Sequence, residues 1–96
     1  MNAWERLVYY INDVFSNNYK EYRTIYRQDI LGISRSPWTI DNYRRLLELG
    51  GYLKTIRPGV YQVVRRVPYT LGKRQLMWKV YPECMKREKQ SRKKYY

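Results

Sequence analysis

Four side chains between positions 38 and 45, Trp38, Asp41, Asn42 and Arg45, have the chemistry to read a polar ligand from one side of a helix. Asn offers a paired donor and acceptor, Arg a forked donor and Asp a paired acceptor. These complement the adenine, guanine and cytosine edges that face a major groove. Asn42 and Arg45 are three apart, hence neighbours one turn along a helix. Trp38 can stack, pack on a sugar, or cover the turn before it. Just ahead, Ser34, Arg35 and Ser36 bring hydroxyls and a guanidinium to what reads as a helix N-terminus, a natural place for a phosphate. Arg44 sits on the flank, within reach of a backbone phosphate.

The element that must carry these groups runs from Pro37 to Leu49. Ser36 supplies a capping oxygen, and Pro37 has its φ already helical with no amide to leave unpaired. Gly50 and Gly51 let the helix end in a left-handed conformation. Between them Ile40, Tyr43 and Leu47 recur at i, i+3 and i+7, flanked by Leu46, so one face is apolar and the other is polar.

Residues 3–16 place Trp4, Leu7, Val8, Ile11, Val14 and Phe15 on one side of a second amphipathic helix ended by Asn17 and Asn18. At this spacing Trp4 and Phe15 read as core. Tyr19 to Thr24 suggests a brief strand, and Thr24 is placed to cap a helix running to about Leu31, closed by Gly32. Residues 52–56 and 60–67 are rich in β-branched and aromatic side chains around Arg57-Pro58-Gly59, the order a type II turn wants, so they are expected to form a β-hairpin that Pro68 ends. From Thr70 to Tyr81 the pattern suits a helix capped by Thr70 and stopped by Pro82, with Leu71, Met77 and Val80 inward; residues 76–81 would also serve as a strand.

Charge is distributed unevenly. The chain carries 20 Lys and Arg against 8 Asp and Glu, a net +12. Residues 1–33 are balanced, with four of each sign, whereas residues 34–67 carry a net +5 and residues 68–96 a net +7. Such an excess costs self-repulsion in the folded state, so it points to a polyanionic partner, nucleic acid before an anionic membrane surface. No apolar run approaches the ~18–20 residues of a bilayer span, and MNAWERLVYY lacks a basic stretch ahead of an apolar one, so neither a membrane partner nor a secretory signal is expected. A single cysteine, Cys84, allows no internal disulfide and fits a reducing, cytoplasmic setting.

Catalysis is not expected. There is no histidine, hence no usual base near neutral pH, and one cysteine without histidine builds neither a metal set nor an activated thiol. The carboxylates form no paired motif and no Gly-rich phosphate loop is present, so neither cofactor nor metal is expected.

The order of helix, short strand, helix, turn, helix and hairpin resembles the winged helix-turn-helix family. Thr39-Ile40, then Leu47-Glu48, then Gly51-Tyr52-Leu53 is similar to that family's recurring run of a polar–apolar pair, a core Leu with an acidic neighbour, and a Gly leading into the first strand of the wing. Gly32-Ile33-Ser34-Arg35-Ser36 resembles the turn before its recognition helix. The resemblance covers about residues 3–67. It departs from the pattern in three places: Gly32 lies seven residues before Thr39, which loosens the turn; position 44 is Arg where an apolar residue is commonest, leaving Tyr43 to fill the core; and Asp41 puts a negative charge on the face that would meet DNA.

The resemblance implies an α+β domain of three helices plus a two- or three-stranded β-wing over residues 1–68. Residues 69–82 would pack on it as a helix or strand, and residues 83–96 would form a disordered basic tail. It implies sequence-specific binding of double-stranded DNA by a small transcriptional regulator; the small, tyrosine-rich, basic form of the chain would suit a virus or mobile element. The helix over 37–49 would lie in the major groove, and the turn 57–59 would meet flanking backbone or minor groove. The residues expected to meet DNA are Ser34, Arg35, Ser36, Trp38, Thr39, Asn42, Arg44 and Arg45 with Lys54, Arg57, Arg65 and Arg66 of the wing. Two rivals remain: a winged helix that binds protein in a DNA-packaging or replication complex through Trp38, Asp41 and tyrosines, and an RNA-associated basic protein acting through its tail. The chain has 12 tyrosines. Tyr9, Tyr10, Tyr19, Tyr22 and Tyr26 offer a core wall, core packing being the simpler expectation for each, or a partner surface through which the chain would form a homodimer.

Overall fold

The computed structural model describes residues 1–81. The expected basic tail, Cys84 and the Pro82 stop lie outside the described residues. The fold is a small α+β arrangement of four helices and one three-stranded antiparallel sheet, α1 (Ala3–Asn17), β1 (Thr24–Tyr26), α2 (Arg27–Leu31), α3 (Pro37–Leu49), β2 (Leu53–Arg57), β3 (Val60–Val63) and α4 (Lys73–Val80). No helix among the described residues is long and apolar enough to cross a membrane.

α1 starts where Asn2 Oδ1 accepts the Glu5 amide at 2.8 Å, and it buries Trp4, Leu7, Val8 and Ile11. Val14 and Phe15 complete that face half-buried, with the Arg23 guanidinium 3.9 Å over the Phe15 ring. Asn12 is the polar exception in the core, 1% exposed. Its amide donates to the Val67 carbonyl at 2.8 Å and its carbonyl accepts the Val67 N–H at 2.7 Å. A lone Asn at such a site would be costly, and here both its groups are satisfied by one backbone residue. The Trp4 indole likewise donates to the Leu71 carbonyl at 3.0 Å and meets Tyr43 edge-on at 5.4 Å.

The short strand lies at Thr24–Tyr26 instead of 19–24, where Lys20–Tyr22 form a 3-10 turn. Thr24 therefore caps nothing. It pairs with Gln62, and α2 begins after Tyr26 without a side-chain cap, only five residues long. The centre of the sheet is β3, with β1 on one side and β2 on the other. Ile25, Tyr61, Val63 and Leu53 turn into the core. The register slips between Thr55 and Arg57, leaving Ile56 exposed at the irregularity. Gly59 takes φ +77° in the hairpin turn, a value the i+2 position of a type II turn requires and a side chain would resist.

β3 ends at Val63 although extended residues were expected through Val67. The Val64 N–H still reaches the Tyr52 carbonyl at 2.9 Å, but Arg65 then turns to the Gly50 carbonyl, and Asn12 takes the backbone of Val67 that a strand would have used. Within residues 70–81 the helical alternative is the one that forms, over Lys73–Val80, but it starts later than Thr70. Gly72 precedes it, Gln75 Oε1 accepts the Gly72 N–H at 3.1 Å, and Thr70 is outside. The residue that α4 buries is Leu76, with Leu71, Met77 and Val80 half-buried beside it. Most of the early tyrosines do not pack inward: Tyr9, Tyr19, Tyr22 and Tyr26 are exposed and only Tyr10 joins the core margin. Burial and the nearby Asp29 and Asp13 charges raise the Tyr10 phenol above its ordinary value.

Candidate nucleic-acid interface

α3 holds the candidate groups in place through its ends and its buried arc. Ser36 Oγ accepts the Thr39 N–H at 3.4 Å, Pro37 occupies the first turn, and Gly51 closes the helix at φ +83°. Ile40 and Leu47 are fully buried and Leu46 nearly so, while Tyr43 is half-buried against Trp4. Burying each such aliphatic side chain stabilises the fold by roughly 1.5–3 kcal/mol, so the helix cannot rotate about its axis without losing several of them. Its outward stripe is thereby fixed. At about 100° per residue that stripe is Trp38, Asn42, Arg45 and Leu49; Trp38 is 75% and Leu49 50% exposed.

The two flanks of the helix differ. On the side of the hairpin every charge has a partner. Asp41, the acid that the sequence placed on the outward face, is held by Arg27 in a two-point pair of 3.0 and 2.9 Å. The Arg27 hydrogen bond holds the Asp41 carboxyl below its ordinary range, against the opposing effect of burial. Arg44 pairs with Glu48 at 2.8 Å one turn along and lies 4.8 Å over the Tyr61 ring. Its Nε is buried with no partner among the described residues. Glu48 in turn accepts the Thr55 amide at 3.1 Å and the Thr55 hydroxyl, which lowers its carboxyl and ties α3 to β2. Arg44 therefore fills the place of the apolar residue by spreading over an aromatic ring, not by facing outward.

On the opposite flank Thr39, Asn42, Tyr43 and Leu46 face α4 across an open groove. Trp38, Lys73, Met77 and Tyr81 complete its lining, and its volume is about 370 Å³. The Lys73 ammonium rests 5.4 Å from the Tyr43 ring.

Of the remaining expected residues, Ser34 and Ser36 stand at the start of α3, where Ser34 Oγ accepts the Ser36 N–H at 3.2 Å, and Arg35 is exposed beside them. Lys54 and Arg57 project from β2, and Arg66 is exposed beyond β3. Arg65 is not free. It donates to the Gly50 carbonyl at 2.7 Å and lies 4.3 Å over Tyr52, so it clamps the end of α3. The structure thus gathers Arg35, Trp38, Asn42 and Arg45 on one helix and its lead-in, and sets Lys54 and Arg57 on the neighbouring hairpin. Arg44 and Arg65 are given to internal contacts.

Arg27 escaped the sequence reading. Its N–H donates to the Gly59 carbonyl at 2.9 Å while its side chain holds Asp41, so one residue joins the hairpin turn to α3. No local spacing announces a partner 14 positions away; the only signal was an uncompensated Asp41 on an otherwise polar or basic face. Tyr26, Arg27, Gln28 and Arg57 surround a second open cleft of about 380 Å³ at this joint. No family model, no curated protein and no solved structure matches the chain.

Proposed function

We propose that this chain is a winged-helix protein that binds double-stranded DNA sequence-specifically, as a small transcriptional regulator, with α3 in the major groove. The observation that carries the reading is the neutralisation of Asp41 by Arg27. It leaves Asn42 and Arg45 as the polar groups of the outward stripe, with an exposed indole beside them. An α-helix fits the major groove, and a forked guanidinium next to an amide is a base-reading pair. The hairpin is then the wing, with Lys54 and Arg57 placed for flanking phosphates or the minor groove. Arg35 would neutralise a phosphate at the start of the helix.

The exposed Trp38 and Leu49 favour a second reading, a winged helix whose outward stripe meets protein. Fluorescence anisotropy separates the two. The full chain is titrated with duplex and with matched single-stranded DNA at several salt concentrations, beside Arg45→Glu. Preference for duplex with a steep salt slope, lost in Arg45→Glu, supports the regulator. Equal binding of both nucleic acids, or a variant that binds as well as the original, overturns it in favour of a protein partner or generic charge.

A further inference from the structure

We propose that α4 is a second phosphate-contacting element, which grips the DNA strand on the side of α3 away from the wing. The proposal rests on the duplex-binding reading and adds a surface to it.

The placement follows from the packing of α4. Leu76 is its buried residue, and Val80 lies half-buried next to it. Lys73, Met77 and Tyr81 turn toward α3 and line the groove shared with Trp38 and Asn42. Continuing round the helix in the same sense, the next residues are Arg74 and Trp78, both exposed on the outer lip of that groove. Lys79 is exposed too, but it lies about 140° round the helix from Arg74, beyond Leu76 on the far side.

The charge on this lip is unbalanced. From Gly72 to Tyr81 there is no acidic residue. Among the described residues the ion pairs are Arg27–Asp41 and Arg44–Glu48, and neither involves α4. Trp78, 53% exposed beside Arg74, has an indole N–H that can donate to a phosphate and a ring that can lie on a deoxyribose.

Geometry selects backbone over bases. The major groove is about 12 Å wide and a helix with its side chains fills about 10–12 Å, so two helices cannot share it. With α3 inside, an adjoining helix meets the groove wall, where only phosphate and sugar are presented. Glu48 and Thr55 fix the wing to one edge of α3, and Thr39, Tyr43 and Leu46 face α4 at the other. The wing and α4 therefore bracket the reading helix, one on each strand.

The test uses the full chain on duplex DNA, with the slope of log affinity against log salt as readout. Each phosphate contact removed lowers that slope by about 0.9 on duplex DNA. Arg74→Gln is expected to lower it by about 0.9, Lys73→Gln with Arg74→Gln by about 1.8, and Lys79→Gln by less than about 0.4 despite the same loss of charge. Glutamine keeps helix propensity, and thermal unfolding checks each variant; if Lys73→Gln loosens the packing on Tyr43, the single Arg74→Gln decides. Equal losses at Arg74 and Lys79 would overturn the proposal in favour of diffuse attraction. An unchanged slope in Arg74→Gln while Arg45→Glu still collapses binding would overturn it and leave the reading helix standing. A full chain with no duplex preference removes both.

Discussion

The outward stripe of α3 and its hairpin-side flank are made of the same kinds of residue and do different work. Arg45 and Arg44 are adjacent in sequence, yet Arg45 is exposed and Arg44 is folded against Glu48 and Tyr61. Asp41 and Glu48 are both acids of the same helix, and both are consumed by neighbours, one by an arginine from α2 and the other by β2. The flank uses its charges to tie the helix to the hairpin and α2, and the stripe leaves Arg45 exposed. A basic count alone cannot distinguish an arginine that holds the fold from one that meets a ligand.

Exchanging the two arginines' roles should break that contrast most visibly. Arg45→Glu is expected to weaken duplex binding by about 100-fold, a lost bidentate contact of roughly 1–3 kcal/mol compounded by charge reversal. It should leave thermal stability nearly unchanged, and a large fall in melting temperature would mean that Arg45 is structural after all. Arg44→Ala should do the reverse. It removes packing on Tyr61 and orphans Glu48, so about 1–2 kcal/mol of stability is expected to go in chemical denaturation. Duplex affinity of the folded fraction should stay within about threefold, because the Arg44 side chain is engaged by Glu48 and Tyr61 and does not face outward. Arg57→Gln would sharpen the picture at the hairpin turn, with an expected fall in duplex affinity of about fivefold at moderate salt, equal for all sequences, and a slope smaller by about 0.9.

The smallest effect is in pH. Asp41 and Glu48 are both held below their ordinary range in the folded chain, by Arg27 and Thr55 respectively. Protonation therefore favours the unfolded state. The stability they add is present above about pH 4.3 and disappears as pH falls through their lowered values. Both groups are partly exposed, so the effect is modest. Asp41→Asn and Glu48→Gln should each flatten the acid limb of a stability–pH curve, and a curve that keeps its full slope in both would show that other carboxylates govern it.

What could be read from the sequence was what the chain decides locally. α3 was legible from end to end because Ser36, Pro37 and the glycine pair act within a few residues of the termini they define. The hairpin was legible for the same reason, through Pro58 and Gly59. β1 was misplaced because three residues become a strand only when β3 offers them a ladder, and the cap assigned to Thr24 was lost to that pairing. Asn12 did leave a trace, a polar residue among Val8, Ile11 and Phe15 that could not be buried alone; which backbone would answer it was not written nearby. At the candidate site the outward positions of Trp38, Asn42 and Arg45 followed from periodicity. The capture of Arg65 by Gly50 and of Asp41 by Arg27 did not, because both depend on where the turns bring distant segments.

The joints made by Trp4 and Asn12 also set an order of assembly. Each ties α1 to the stretch leading into α4, across 67 and 55 residues of chain. Contacts so far apart reward the chain only after most of the intervening segment has been ordered, so they form late. During synthesis the residues of α3 and the hairpin are made before Leu76, whose side chain lies against Gly50 at the end of α3. α3 therefore gains the last wall of its scaffold only when the stretch from Val67 through α4 docks, and that step seals the fold.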